Sequence, residues 1–131
     1  MVQQLITSDE RGFQEDQLLE RLLQLYTEEG RIYREVLELS RRQGDVIRAG
    51  LSFQAMHQVL EHKQRYLDEI AQLESSEQPA RNAWAADRDS WSSAARARLL
   101  TALQEVGSLI EEILLSEEAN DRLLLEFTDK A

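Results

Sequence analysis

Residues 14–48 read QEDQLLERLLQLYTEEGRIYREVLELSRRQGDVIR. Apolar side chains recur along this stretch in alternating steps of four and three, the spacing that gathers side chains on one face of an α-helix. The seam consists of Leu18, Leu22, Leu25, Ile32, Val36, Leu39 and Val46, with Glu29 and Gln43 as its polar members. A second set widens the apolar surface and comprises Leu19, Leu23, Tyr26, Tyr33, Leu37 and Ile47. The stretch predicts one long helix that packs against two neighbours.

A chain reversal is predicted at residues 49–52, and a second helix follows over residues 53–74. Glycine and a serine N-cap are typical of such a reversal, and Gly44, Gly50 and Ser52 supply both. The second helix is expected to run antiparallel to the first. Its apolar positions are Phe53, Met56, Val59, Leu60, Tyr66, Leu67, Ile70 and Leu73.

The chain beyond the second helix is less regular. Residues 75–79, SSEQP, break the pattern because proline fits the start of a helix and not its interior. Residues 80–95 predict a helix, but the spacing leaves two alternatives for whether it runs on into the next one. Steps of four from Trp91 to Leu103 fit either a locally unwound coil or a short helix followed by a kink. Residues 97–127 predict the last long helix. Its seam is Leu99, Leu103, Val106, Ile110, Ile113, Leu124 and Phe127, with Glu117 and Asn120 as polar members.

The predicted fold is all-α: a long antiparallel helical hairpin plus a third long helix, in one domain over residues 1–131. Packing is expected to be coiled-coil-like, in a three- to four-helix bundle. Composition agrees, because 42% hydrophobic residues can fill one core, while one proline and five glycines leave few turns for a β-rich fold. The absence of cysteine excludes disulfides and thiolate chemistry, so stability has to come from packing.

The charge of the chain bears on its partners. A formal net charge of −10 argues against nucleic acid, which binding proteins hold through Lys and Arg that displace counterions. No stretch approaches the ~20 apolar residues of a membrane span, and residues 1–11 lack the basic-then-apolar pattern of a signal peptide. We therefore expect a cytoplasmic protein that does not insert into membranes.

No residue pattern indicates catalysis or a cofactor. His57 and His62 are five residues apart, off a common helical face, and the sequence lacks the Glu-x-x-His of carboxylate-bridged metal bundles. The glycines are isolated, so no phosphate-binding loop is predicted, and the acidic residues lack the order of a calcium-binding loop. We predict no catalytic, cofactor or metal site, and a protein that is not an enzyme.

The last helix carries a surplus of both acidic and apolar side chains. Between residues 99 and 127, Arg122 is the single basic residue, and the acidic ones are Glu105, Glu111, Glu112, Glu117, Glu118, Asp121 and Glu126. Leu115 and Leu125 fall on the outer face, where a self-sufficient bundle is polar. This surplus predicts a protein partner. The alternative is that these leucines pack against residues 80–98 or against an identical subunit.

Five stretches of the sequence carry a family resemblance. They are residues 18–23 (LLERLL), 48–52 (RAGLS), 58–64 (QVLEHKQ), 109–113 (LIEEI) and 117–124 (EEANDRLL). Over roughly residues 16–127 the layout resembles the FlgN-like family of flagellar type III export chaperones. Members of that family are small acidic helical proteins that escort hook-associated filament proteins to the export machinery.

The resemblance implies a chaperone whose last helix pairs with an amphipathic helix of its client. It also implies a contact with the export apparatus, to which no residue is assigned here. The predicted partner-binding residues are Ile113, Leu115, Asn120, Leu123, Leu124, Leu125 and Phe127. Alternatively, Ile113, Leu124 and Phe127 are core, and Asn120 fixes the register of the seam. The competing hypothesis is a self-associating structural coiled coil or adaptor without an export client, in which the same leucines form a homodimer.

Overall fold

The structure, a computed structural model, describes residues 8–129, and this range is helical almost throughout. The helices are α1 (Ser8–Arg48), α2 (Phe53–Ser76), α3 (Gln78–Ala86) and α4 (Ser93–Asp129), with a short 3-10 turn at Arg88–Ser90. Residues 8–129 contain no strand. The predicted all-α class is confirmed.

Helix α1 is the central element and packs against both α2 and α4. Both of its apolar sets contribute buried side chains, which include Leu19, Leu22, Ile32, Val36 and Ile47. The prediction of a helix with two neighbours is confirmed. α1 begins at Ser8, earlier than residue 14, because each residue added to a helix that has already formed gains a backbone hydrogen bond. α2 and α4 likewise extend slightly past their predicted bounds.

The three long helices run up, down and up. Arg21 Nε donates to Glu77 Oε2 at 2.5 Å, which joins the early part of α1 to the residue that follows α2. The backbone N–H of Ser92 donates to the Glu15 carboxylate, so α4 starts beside the early part of α1. α2 is therefore antiparallel to α1, and α4 is parallel to α1.

The turn between α1 and α2 is set by a glycine and a serine. The Leu51 N–H donates to the Val46 carbonyl at 2.9 Å and closes the end of α1. Gly50 has a φ of 112°, a left-handed conformation that glycine adopts without a steric penalty. Ser52 Oγ accepts a hydrogen bond from the Ala55 N–H at 3.3 Å and caps α2.

Gly44 does not belong to this turn, contrary to the sequence-based assignment. It lies inside α1, where α4 approaches so closely that a Cβ on Gly44 would stand 2.8 Å from Asn120 Oδ1. Around Gly107, inside α4, an added Cβ would meet nothing within 4 Å. Gly44 therefore permits the close contact of α1 with α4.

The Gly44→Ala variant is expected to be less stable than its matched control, Gly107→Ala. At position 107 the better helix propensity of alanine raises the free energy of unfolding by about 0.5–1 kcal/mol. At position 44 the new Cβ displaces Asn120 from its hydrogen bonds, so the net change is a loss of about 1–2 kcal/mol. Urea unfolding of both variants measures the difference. Equal stabilisation by both substitutions would show that the contact of α1 with α4 does not require glycine at position 44.

The helix predicted over residues 80–95 ends early, because the chain leaves the helix after Ala86. Trp91 folds back onto Trp84, with ring centroids 5.0 Å apart and planes inclined by 15°. The indole N–H of Trp91 donates to the Trp84 carbonyl at 2.7 Å, which satisfies a carbonyl in the last turn of α3. Ser92 Oγ then caps α4 by accepting from the Ala95 N–H at 3.1 Å. Of the two alternatives, the short helix followed by a break is the one that forms.

Candidate partner-binding face

The predicted partner-binding residues of α4 do not share one environment. The exposed members are Leu115, Leu125 and Phe127. The half-buried members are Ile113, Leu123 and Leu124. The remaining residue, Asn120, is buried. The three exposed side chains are open to a partner while α4 is docked on α1.

Asn120 joins α4 to α1. Its Nδ2 donates to the Ser40 carbonyl at 2.8 Å, and the Ser40 hydroxyl donates to the Ser116 hydroxyl at 2.9 Å. Ser40 is fully buried, so this polar contact lies inside the α1–α4 interface. A buried amide with one matching partner suits the alternative role considered for Asn120, which is to fix the register of two helices.

Lys63 links α2 to α4 across α1. Its Nζ donates to Gln43 Oε1 of α1 at 3.0 Å and to the Glu117 carboxylate of α4. Gln43 and Glu117, the polar seam residues of α1 and α4, thus provide the hydrogen-bond partners of Lys63. Because Lys63 and Glu117 touch, the sides of α2 and α4 that carry them face each other.

Exposed leucines flank this bridge on both helices. On α2, Leu60 lies three residues before Lys63 and Leu67 lies four after it, a spacing that places them on the same side of the helix. On α4, Leu114 lies three residues before Glu117. All three leucines are exposed beside the bridge. In the part of the chain that the structure describes, no helix covers them.

The apolar surface continues toward the end that holds the α1–α2 turn. Phe53, which is 84% exposed, lies seven residues before Leu60 on α2. Leu125, which is 64% exposed, lies eleven residues, or about three helical turns, after Leu114 on α4. Since α2 and α4 run in opposite directions, Phe53 and Leu125 lie at the same end. We call the surface formed by Phe53, Leu60, Leu67, Leu114 and Leu125 the α2–α4 face.

Sequence reasoning placed part of this face in the core and missed another part. It counted Phe53, Leu60 and Leu67 among the packed positions of α2, whereas α2 buries Val59 and Ile70. It also counted Leu103 in the packed seam of α4 and omitted Leu114, and both are exposed. Regular spacing, seven residues through 53, 60 and 67 and eleven through 103, 114 and 125, does place each group on one side of its helix. It does not show that this side stays uncovered.

The α2–α4 face has an acidic border on α4. Glu111 and Glu118 lie three residues before and four residues after Leu114, and both are exposed. Arg122, the one basic residue of this stretch, pairs with Glu118 at 3.4 Å. An apolar surface with such a border is complementary to an amphipathic helix that has basic or polar flanks.

Residues 8–129 present neither a cluster of metal ligands nor a membrane-spanning helix. No group of three His, Cys, Asp or Glu side chains in this range is arranged to hold a metal ion. Nor does the described chain contain a helix long and apolar enough to cross a bilayer.

The chain matches a known protein family over most of its length. The family model of the FlgN protein matches residues 18–129, from the start of the α1 seam to the last residue of α4. No curated protein and no solved structure matches the chain. The matched range contains both helices of the α2–α4 face and the stretches that carry the resemblance. The chain belongs to the FlgN family.

Proposed function

We propose that this protein is a flagellar export chaperone that holds a helix of a hook-associated protein on its α2–α4 face before type III secretion. The observation that carries the proposal is the exposed apolar surface on both sides of the Lys63–Glu117 bridge. Membership of the FlgN family supports the chaperone role. The contact is binding without catalysis, and we place it in the cytoplasm, before the client reaches the export apparatus.

The physical basis is helix-in-groove recognition. An amphipathic helix presents apolar side chains three and four residues apart, and Leu60, Leu67 and Leu114 offer matching apolar contacts on the two opposing helices. Burying a fully exposed leucine contributes about 1.5–3 kcal/mol, and each leucine of the face contributes in proportion to the part that is still exposed. Binding therefore needs several such contacts together, because association also costs translational and side-chain freedom. The acidic border of α4 favours clients with basic or polar flanks and speeds their encounter.

A truncation after Ser116 tests this function directly. It removes Leu125 and Asn120 together with Glu117, the partner of Lys63, but it leaves α1, α2 and most of α4. The truncated chain is therefore expected to stay largely helical and to lose its client. Co-purification with hook-associated proteins of the same organism measures binding, and circular dichroism measures helicity. A second truncation, after Phe127, is the control and is expected to bind normally. Undiminished binding by the chain that ends at Ser116 would contradict the proposed face.

Self-association is the second candidate, because the same exposed leucines would pair two copies of the chain. Light scattering at micromolar concentration separates the two functions. A monomer that binds a hook-associated protein supports the chaperone, whereas a stable dimer without affinity for such clients supports the structural coiled coil.

A further inference from the structure

A second apolar surface lies toward the other end of α4. There α1, α3 and α4 enclose an open pocket of about 640 Å³. Its apolar lining comes from all three helices and includes Leu22 of α1, Trp84 of α3 and Leu100 and Leu103 of α4. Leu100 and Leu103 are exposed, so the pocket presents apolar side chains to solvent.

The charge of this pocket is opposite to that of the chain. Arg81, Arg88 and Arg96 line it, and no carboxylate does, although the sequence has 25 acidic and 15 basic residues. The charge of Arg81 also interacts with the buried Glu29 and the half-buried Tyr26, so Arg81 is not wholly available to a ligand. Arg88 and Arg96 form no ion pair with any side chain described by the structure. Both are exposed and available to a ligand.

We propose that this pocket is a docking site for an acidic amphipathic segment of a partner protein. An apolar side chain of the segment packs against Trp84 and Leu100, and carboxylates on its flanks bind Arg88 and Arg96. Guanidinium groups bind carboxylates through paired hydrogen bonds, which are stronger and more directional than neutral ones. A nucleic acid is disfavoured because the surrounding chain repels a phosphate backbone.

The proposal is independent of the function assigned to the α2–α4 face. That face has an acidic border and selects basic or polar segments, whereas the pocket selects acidic ones. α4 thus carries two docking surfaces of opposite charge preference, one in its C-terminal half and one near its start. Two different segments can then be held at the same time.

A second copy of the chain is the competing occupant. Residues 99–127 are themselves acidic and leucine-rich, so the α4 of another copy has the chemistry that the pocket selects. The experiment therefore has to separate a foreign segment from self-association.

The probe is a synthetic helical peptide of about four turns, with leucines three and four residues apart and glutamates on both flanks. Its counterpart carries lysine in place of each glutamate. The readout is tryptophan fluorescence, because the two tryptophans of the sequence form the Trp84–Trp91 stack at the pocket. Calorimetry provides an independent measure of affinity. The acidic peptide is expected to shift the fluorescence saturably, and the lysine peptide is not.

Charge reversal tests the residues. The double variant Arg88→Glu with Arg96→Glu is expected to weaken binding of the acidic peptide by about tenfold or more. The matched control, Arg41→Glu with Arg122→Glu, makes the same change in net charge at exposed sites away from the pocket and is expected to bind like the unchanged protein. Circular dichroism checks that both variants stay folded.

Three results would overturn the proposal. The first is the absence of any affinity of the unchanged protein for the acidic peptide. The second is equal loss of affinity in both double variants, which would reduce the effect to net charge. The third is a dimer, seen by light scattering, that dissociates in the Arg88→Glu with Arg96→Glu variant, because it would assign the pocket to a second copy.

Discussion

Replacing Leu114 and Leu125 together with glutamine is expected to weaken client binding by about 100-fold or more without unfolding the protein. Each leucine is already about one-third buried, so burial of the rest by a client helix contributes about 1–2 kcal/mol, and 1.4 kcal/mol corresponds to a tenfold change in affinity. Glutamine keeps the helix propensity and adds no charge. Both side chains are more than 60% exposed in the unbound protein, so the substitutions leave the core intact.

The chain offers a matched control next to one of these residues. Leu115 is 61% exposed and Leu114 is 63% exposed, but consecutive residues point about 100° apart on a helix, so Leu115 lies off the α2–α4 face. Leu115→Gln is expected to change client affinity by less than about threefold, against roughly tenfold or more for Leu114→Gln. Titration of a hook-associated client followed by calorimetry compares them. If Leu115→Gln weakened binding and Leu114→Gln did not, the client would occupy the outer face of α4 instead.

Replacing Glu29 with glutamine is expected to stabilise the protein at pH 8 by about 1–3 kcal/mol and to flatten its pH dependence. Glu29 is a seam residue of α1, 2% exposed, and its Oε1 has no hydrogen-bond partner among the described residues. Burial raises the pKa of this carboxyl to about 7, with help from the hydrogen bond and charge of Glu74, while Arg81 opposes the rise. An uncharged amide of the same shape avoids the penalty of burying the carboxylate.

The sign of the pH effect follows from proton binding. Between the ordinary pKa of 4.5 and about 7, Glu29 holds its proton in the folded state and has lost it in the unfolded state. Its contribution to stability is therefore fully present below about pH 4.5 and is lost as the pH rises through 7, by at most roughly 3 kcal/mol.

Urea unfolding at pH 5 and pH 8 measures this dependence. Glu28→Gln is the matched control, because Glu28 is a half-exposed neighbour that pairs with Arg31 at the surface, and its replacement is expected to leave stability almost unchanged. A Glu29→Gln variant as pH-dependent as the unchanged protein would show that Glu29 does not carry the effect.

The α1 helix could be predicted from the sequence because its pattern shows both which sides of the helix are buried and how many neighbouring helices cover them. Its two adjacent apolar sets define the sides that bury, and their combined width requires two neighbours. Leu22 and Ile32 lie in the core as that pattern predicts. The end of α1 is equally local, since Gly50 and Ser52 act through their own backbone and side chain.

The α2–α4 face could not be predicted in the same way. Leu60 and Leu67 repeat with the same helical regularity as Val59 and Ile70, yet the second pair is buried and the first is exposed. Periodicity reports which side chains share a side of a helix, and it does not report whether another helix lies there. For the same reason, the predicted partner-binding residues of α4 do not share one environment. Asn120 packs against α1, whereas Leu125 is exposed to solvent.

By itself, then, the sequence determined the helical class, the long central helix, its turn and the acidic surplus of α4, because these depend on spacing and composition along the chain. The tertiary structure decided which apolar stripes stay uncovered, how Lys63 reaches Glu117, and that Arg81, Arg88 and Arg96 meet at one pocket. These outcomes depend on contacts between residues far apart in the chain. Their physical cause is the position of α4 beside α1, which leaves the α2–α4 face uncovered by any of the helices that the structure describes.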